Sequence, residues 1–391
     1  MDSYPMPRQC PDHPPARLGE LRATAPITRV RSWDGSTPWL ITGYEQARAA
    51  LASPALSSNP ANPGFPSVGP GDVVGPGEER PGLLLTMDGA EHARLRRRLI
   101  GEFTVRRIET LRPRVEQLVT ALLDTMADGP KPVDLVPALA LPLPSLVISE
   151  LLGVPYADHE FFQRRSTMIL DTKADAEQTR RAMGELIAYL NDLVATKQTN
   201  PGDDLLSRLN ATGELAAREV AGVGTLLLVA GHETTANQIA LGVLTLLRHP
   251  GNLMSTDDPV AVKAAVEELL RLLTITQAGA RRVAVEDVRI GDVRINAGEG
   301  VIIATHAANR DPAAFDHPDD YDPRRGVNRH IAFGFGPHQC LGQPLARLEL
   351  QVVHPMLLRR FPTMKLAVDP AELSYRDTMP MYGVTALPVT W

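Results

Sequence analysis

The chain has 391 residues, of which 43% are hydrophobic and 22% charged, so it is long and apolar enough to bury a large core. Its formal net charge of −6 argues against nucleic acid as a general partner. Its two cysteines, Cys10 and Cys340, provide neither a disulfide framework nor a zinc cluster, which is typical of a protein in the reducing cytoplasm.

Neither a signal peptide nor a membrane anchor is predicted. Residues 1–20 form a tail that contains prolines and charges but no apolar segment. The most apolar stretch, residues 135–154, includes three prolines and Glu150, which a membrane span would not usually carry. A proline-broken segment that leads into a buried helix is expected there instead.

The first predicted elements are a hairpin, with strands over residues 29–33 and 39–42 on either side of an Asp-Gly turn, and a helix over residues 44–52. Residues 60–82 are crowded with glycine and proline, so a mobile loop is predicted there. Taken alone, this loop could equally be a linker without a function.

Helical patterns dominate the remainder of the chain. A helix pair is predicted over residues 158–170 and 175–197, and a long helix over residues 221–247. Two strand-like runs, residues 288–290 and 293–295, flank a Gly-Asp pair and indicate a second hairpin. The pattern therefore predicts one mainly α-helical domain over all 391 residues, with small β-sheets.

The long helix is apolar at both ends and polar at its centre, which contains Gly231, His232, Glu233 and Thr234. Polar side chains inside a buried helix are costly unless they have partners or a function. Gly231 would let the backbone lie close to a flat partner. Considered alone, these residues could also be a polar patch that is satisfied inside the core.

Two pairs of polar side chains have helical spacing. Glu268 and Arg271 lie one turn apart, and pairs of this kind are usually solvated surface pairs. His92 and Arg96 are four residues apart and therefore share one face of a helix. The basic run over residues 94–98 could simply be a solvated face.

The most informative segment surrounds Cys340, which precedes an amphipathic helical run. Gly336 and Gly342 allow the backbone to lie close to a flat partner, and Phe333 supplies an aromatic wall. The N–H groups at the start of the helix favour an anionic sulfur. A thiolate held in this way can be the axial ligand of haem iron, whereas a lone cysteine is more often a small core residue.

The pattern Phe333-x-x-Gly336-x-x-x-Cys340-x-Gly342 resembles the haem-ligand signature of the cytochrome P-450 superfamily, and three further motifs follow the family's order and spacing. The resemblance covers nearly the whole chain and is greatest to bacterial members that hydroxylate natural products and xenobiotics. It implies a triangular-prism-like fold that encloses haem b, with Cys340 as the axial ligand. It also implies a monomer without a membrane anchor.

The resemblance also implies roles for the other motifs. Glu233 and Thr234 match the acid–alcohol pair that delivers protons to dioxygen, although the family often has Asp in the first position. Gly231 belongs to the same oxygen-activating stretch. Contacts to the haem propionates are implied for His92, Arg96, Arg282 and His338.

Glu268 and Arg271 match the family's Glu-x-x-Arg in a buried helix, and a later arginine completes that structural network. By its spacing after Tyr321, which stands where Phe is more frequent, Arg325 is that arginine. The resemblance further implies that residues 60–85 form a mobile lid over the substrate pocket. The expected lining of the pocket is residues 60–85, 161–183, 230–234, 274–280 and 379–381.

The implied reaction inserts one atom of O2 into a C–H or C=C bond of a hydrophobic small molecule, such as a macrolide, a steroid-like compound or a xenobiotic. Its electrons derive from NAD(P)H and arrive through a ferredoxin reductase and a ferredoxin. The reductase must be a separate protein, because the chain contains no flavin or nicotinamide fingerprint. The basic residues 94–98 would attract an acidic ferredoxin.

Two alternatives remain open at this point. One is a haem-thiolate enzyme that couples phenols or uses peroxide as its oxidant. The other is a cysteine-nucleophile hydrolase that uses Cys340 with His338, although two residues on one loop form a poor nucleophile–base pair without a third orienting group.

Overall fold

A computed structural model describes residues 1–8, 13–67, 69, 82–170, 175–249, 258–326, 328–377 and 379–391. Cys10 and half of the predicted lid, residues 68 and 70–81, lie outside the described residues. The helices within the described residues are α1 (Ala16–Thr24), α2 (Tyr44–Ala52), α3 (Gly89–Ile100), α4 (Val105–Glu109), α5 (Arg112–Asp128), α6 (Pro142–Leu152), α7 (His159–Leu170), α8 (Ala176–Thr199), α9 (Leu205–Ala211), α10 (Ala217–Arg248), α11 (Pro259–Leu273), α12 (Thr305–Ala308) and α13 (Gln343–Arg360). The strands are β1 (Ile27–Arg29), β2 (Trp39–Ile41), β3 (Leu56–Ser57), β4 (Val133–Asp134), β5 (Ala280–Ala284), β6 (Val288–Ile290), β7 (Val293–Ile295), β8 (Gly300–Ile303), β9 (Lys365–Leu366) and β10 (Pro388–Thr390).

Helix α10 lies at the centre of the helical layer. It packs against α6, α7, α8, α9, α11 and α13, and most of its side chains are buried. A helix that is apolar on most of its circumference has to be covered on all sides, which explains this central position. The predicted polar centre of the helix is therefore placed deep inside the protein.

The strands form three small sheets. The largest has the order β1-β2-β8-β5-β3, with β2 and β8 parallel and the other neighbours antiparallel. A second sheet has the order β4-β10-β9, and β6 pairs with β7 in a hairpin. The largest sheet and α2 enclose an apolar core of their own, separate from the helical core.

The predicted fold class, mainly α with small sheets, is confirmed. The predicted helix over residues 44–52 coincides with α2, the helix pair corresponds to α7 and α8, and the second hairpin is β6–β7. The apolar stretch of residues 135–154 contains a π-helical turn followed by α6. Among the described residues, each helix is either too short or too polar to cross a bilayer.

The first hairpin differs from the prediction. Its strands pair Ile27 with Ile41 and Arg29 with Trp39, so the first strand ends where it was expected to begin. The reason is the size of the turn. Ser32 and Ser36 are joined by a backbone hydrogen bond of 2.9 Å, and Asp34 Oδ1 accepts the N–H of Ser36 at 3.0 Å. Residues 32–36 are therefore used by the turn.

Candidate functional site

Cys340 lies at the end of a tight loop, immediately before α13. Its backbone N–H donates to the carbonyl of Phe333 at 2.8 Å, which closes the loop. Cys340 is exposed as a residue, yet protein surrounds the thiol, and desolvation by this burial raises its pKa. The backbone N–H groups of Gly342 and Gln343 favour the ionised sulfur and partly oppose the rise in pKa.

Gly336 and Gly342, the two glycines of the Cys340 motif, have different surroundings. Gly336 has a φ of +72°, and a Cβ there would lie 3.0 Å from the Cα of Ala52 and the carbonyl oxygen of Leu51. Gly336 is thus required for packing the loop against the end of α2, and its expected approach to a cofactor stays a prediction. A Cβ on Gly342 would meet no described atom within 4 Å, so that side of the loop is open to a flat partner.

Four basic side chains from three parts of the chain lie beside this loop: His92 and Arg96 on α3, Arg282 on β5, and His338 on the loop itself. The rings of His92 and His338 have centroids 4.2 Å apart, and Arg96 Nη2 donates to the carbonyl of Gln339 at 2.6 Å. Burial together with the positive charge of the other three lowers the pKa of His92 to about 4. The structure thus brings together the side chains that were expected to hold propionates.

These residues fit a haem. The buried Nε2 of His92 has no hydrogen-bond partner among the described residues, and burial lowers the pKa of the Arg282 guanidinium to about 10. Buried cations and orphaned polar atoms are costly unless anionic groups compensate them. Two propionates would supply that compensation, while Cys340 would bind the iron.

Sequence analysis missed the carboxylate in this cluster. Ser58 Oγ lies 3.0 Å from His338 Nε2, and Asp88 Oδ1 accepts the N–H of Ser58 at 2.9 Å and lies 3.6 Å from His338 Nε2. Burial raises the pKa of Asp88, but hydrogen bonds from His338, Ser57 and Ser58 outweigh it and hold that pKa well below its usual range. His338 Nε2 is thus engaged by Ser58 and Asp88, and within the described residues no hydrogen bond joins His338 to Cys340, so the geometry does not support a Cys–His hydrolase pair.

The predicted acid and alcohol lie at the buried centre of α10. Thr234 Oγ1 donates to the carbonyl of Ala230 at 2.7 Å. Glu233 is 2% exposed; its Oε1 accepts from Thr167 Oγ1 at 2.7 Å and its Oε2 from Arg376 Nη1 at 2.7 Å. Both carboxylate oxygens are therefore engaged by residues that the sequence patterns did not identify.

Gly231 lies opposite α6: a Cβ at this position would make ordinary van der Waals contact with the side chain of Ile148 at 3.4 Å. Its expected approach to a cofactor stays a prediction. His232 is buried, with Nδ1 3.0 Å from the carbonyl oxygen of Leu228. Its Nε2 is also buried, and the described part of the chain offers it no hydrogen-bond partner.

The Glu268 network is buried, as the resemblance implied, and is not a surface pair. Arg271 donates to both carboxylate oxygens of Glu268 at 2.8 Å, and both side chains are almost fully inaccessible. Arg325 Nε lies 3.1 Å from Oε1, Asn328 donates to Oε2 at 3.0 Å, and the N–H of Asp322 donates to Oε1 at 3.0 Å. The remaining donors of Arg271 bind the carbonyls of Asn309, Pro318 and Asp320.

Comparison with known proteins agrees with this geometry. A family model described as Cytochrome P450 matches residues 260–379. Cytochrome P450-SU2 of Streptomyces griseolus is 49% identical over 385 residues, covering 98% of this chain and 94% of that protein. Vitamin D3 dihydroxylase of the same organism is 44% identical, covering 100% of this chain and 97% of that protein.

Among solved structures, the mycinamicin VIII C21 methyl hydroxylase MycCI of Micromonospora griseorubida, bound to mycinamicin VIII, superimposes with a TM-score of 0.93. It is 41% identical, and the match covers 100% of both chains. Because these matches cover almost the whole chain, they include the thiolate loop, the buried Glu268 network and the polar centre of α10. The chain belongs to the cytochrome P450 family.

Proposed function

We propose that this haem monooxygenase uses Cys340 as the axial ligand of its iron and catalyses RH + O2 + 2e− + 2H+ → ROH + H2O. When bound, the haem supplies the reductive activation of O2. One observation carries the assignment of the ligand: Cys340 is exposed at the end of its loop, and the N–H groups of Gly342 and Gln343 favour its ionised sulfur. These features favour a thiolate. The side chains that would hold the propionates are His92, Arg96, Arg282 and His338.

The proposed substrate is a hydrophobic small molecule. Apolar side chains from the expected lining segments belong to the helical core or pack against it, namely Phe161, Ile169, Ile275 and Met381. A solved relative carries mycinamicin VIII, and another relative is a vitamin D3 dihydroxylase. A panel of apolar compounds would be screened by the spectral shift on binding. Product analysis with O2 and NAD(P)H then tests the reaction, since an added oxygen atom distinguishes hydroxylation from the alternative of phenol coupling.

Glu233 and Thr234 are proposed to deliver the protons. In the structure, the Thr234 hydroxyl proton lies toward the carbonyl of Ala230, and the Glu233 carboxylate is paired with Arg376. To act as a relay, the carboxylate has to leave Arg376, accept a proton from water and pass it to Thr234 Oγ1. Thr234 then donates that proton at the substrate side of α10.

Thr234→Ala is expected to uncouple the enzyme. Without the hydroxyl, protons reach oxygen in the wrong place, so NAD(P)H and O2 consumption continues while hydrogen peroxide replaces product. Product formed per NAD(P)H oxidised should fall by about 10²-fold, the lower end of the contribution of a positioned proton donor. The ratio is measured with peroxide quantified in the same samples.

Thr235→Ala is the matched control, because Thr235 makes the same kind of bond, from Oγ1 to the carbonyl of Gly231 at 3.2 Å. Glu233→Gln should differ from both variants by slowing total O2 consumption, since the relay itself is interrupted. Wild-type coupling in Thr234→Ala would show that Thr234 is not the alcohol of the pair.

The proposed electron donor is a ferredoxin that docks on the exposed face of α3. Arg97 is exposed there, whereas Arg98 is paired with Glu214 at 2.7 Å and Arg94 with Glu219. Paired arginines present less net positive charge to a partner. Arg97 is therefore the more informative of the three positions.

Arg97→Glu should slow reduction by ferredoxin about tenfold at low salt and weaken its dependence on salt, because exposed charges steer association and are screened by ions. Stopped-flow absorbance would follow the reduction, and reduction by dithionite should be unchanged. Arg289→Glu, an exposed position on β6, serves as the control for net charge. Equal ferredoxin rates for Arg97→Glu and Arg289→Glu would refute a role for Arg97.

A further inference from the structure

A second carboxylate of α11 reaches the Cys340 loop independently of the Glu268 network. Glu267 accepts from Arg347 Nε on Oε1 at 2.6 Å and from Arg347 Nη2 on Oε2 at 2.9 Å. Arg347 lies near the start of α13, just after the loop. This bidentate geometry is the strongest form of an arginine–carboxylate contact.

Glu267 also holds the other end of the loop. The backbone N–H of Ala332 donates to His330 Nδ1 at 3.2 Å, so Nδ1 is the acceptor nitrogen and Nε2 carries the proton. His330 Nε2 therefore donates to Glu267 Oε2 at 3.0 Å. The His330 side chain is 2% exposed and that of Glu267 26% exposed, so the contact is largely shielded from water.

Burial raises the pKa of Glu267, but hydrogen bonds from His330 and Arg347 outweigh this effect and lower the pKa to about 2. The carboxylate is thus charged under all ordinary conditions. It is the acidic partner of Arg347 among the described ion pairs.

Arg347 connects this cluster to the sulfur. Its guanidinium carbon lies 4.6 Å from the centroid of the Phe333 ring, a cation–π distance. The carbonyl of Phe333 accepts the N–H of Cys340. The positive charge of Arg347 also favours the thiolate of Cys340. Arg347 therefore affects the sulfur in two ways, by its charge and by its contact with Phe333.

We propose that Glu267 is a positioning residue that joins both ends of the Cys340 loop, through His330 and Arg347, and neutralises Arg347 so that its charge does not withdraw electron density from the sulfur. This inference rests on the proposed role of Cys340 as axial ligand. Glu267 touches neither substrate nor haem; its effect reaches the iron through the loop and through the charge of Arg347.

The proposal predicts shifts of the reduction potential in opposite directions for the two single variants. Glu267→Gln leaves Arg347 uncompensated and should raise the reduction potential of the haem iron. Arg347→Gln leaves the negative charge of Glu267 and should lower it, while the double variant should return close to the wild-type value. All three variants lose the tether, so their reduced carbon monoxide complexes should convert from the thiolate-ligated to the inactive form about tenfold faster in moderate urea, as expected for loss of a partly buried pair.

The holoenzymes would be compared by spectroelectrochemistry and by the rate of that conversion. Glu150→Gln is the matched control, because Glu150 forms an exposed pair with Arg114 between α5 and α6. Glu267→Asp keeps the charge but shortens the side chain. It should retain the wild-type potential and convert at an intermediate rate, and it tests the tether if Glu267→Gln accumulates poorly.

Glu267→Gln that matches Glu150→Gln in both measurements would overturn the proposal. So would shifts of potential in the same direction for Glu267→Gln and Arg347→Gln, since a purely structural role moves both alike. A wild-type protein without the thiolate band would instead contradict the assignment of Cys340, and that outcome is distinguishable because it needs no variant.

Discussion

Cys340→Ala is expected to abolish the band at about 450 nm of the reduced carbon monoxide complex and to remove most of the bound haem, because this band depends on electron donation by a thiolate. The alanine side chain offers no ligand, and the N–H groups of Gly342 and Gln343 lose the sulfur that they stabilise. Cys340→Ser and Cys340→His still offer a ligand atom but not a thiolate, so their band should move to about 420 nm or haem should be lost. Difference spectroscopy and the haem content per chain are the measurements.

Cys10→Ala provides the control, since it removes the chain's other cysteine. Its spectrum should equal that of the wild type. A Cys340→Ala protein that keeps an unchanged band and full haem content would disprove the assignment of the ligand, and with it the proposed mechanism.

Features that depend on local spacing could be predicted from the sequence. The helix that follows Cys340 and the one-turn spacing of Glu268 and Arg271 are both set by residues that are close in sequence. The hairpin β6–β7 was predicted for the same reason, because a two-residue turn fixes its register. The resemblance then extended these local motifs to Arg325, which is distant in sequence.

Contacts that depend on tertiary packing could not be predicted. Thr167 and Arg376 lie 66 and 143 residues from Glu233, and neither stands in a motif. The glycines show the same limit. A Cβ on Gly231 would contact α6 and one on Gly336 would meet the end of α2, neighbours that only the packed structure reveals. The role of Glu267 could not be predicted either. Adjacent residues on a helix face different neighbours, and the partners of Glu267, His330 and Arg347, are distant in sequence.

Glu268→Ala is expected to destabilise the protein by about 3–5 kcal/mol, the usual consequence of removing one partner of a buried ion pair. Arg271 would keep its charge at an almost fully inaccessible position. Arg325, Asn328 and the N–H of Asp322 would lose their acceptor as well. Since these donors lie on the segment that leads into the Cys340 loop, little soluble haem-loaded protein should accumulate. Urea unfolding followed by circular dichroism would give the loss of stability, and haem per chain would be measured in parallel.

Glu109→Ala is the control that distinguishes the effect of burial from the effect of the pair's geometry. Glu109 also accepts two hydrogen bonds from an arginine three residues later, Arg112, at 2.8 and 3.0 Å, but these side chains are 41% and 31% exposed. An exposed pair contributes about 0–1 kcal/mol, because water solvates whichever charge remains. The two pairs share spacing, residue types and bidentate contact, so a large difference between Glu268→Ala and Glu109→Ala can arise only from burial and from the additional partners of Glu268. A well-expressed, haem-loaded Glu268→Ala protein with the same unfolding midpoint as Glu109→Ala would mean that water reaches Arg271 once the carboxylate is gone, and that the network does not hold the thiolate loop in place.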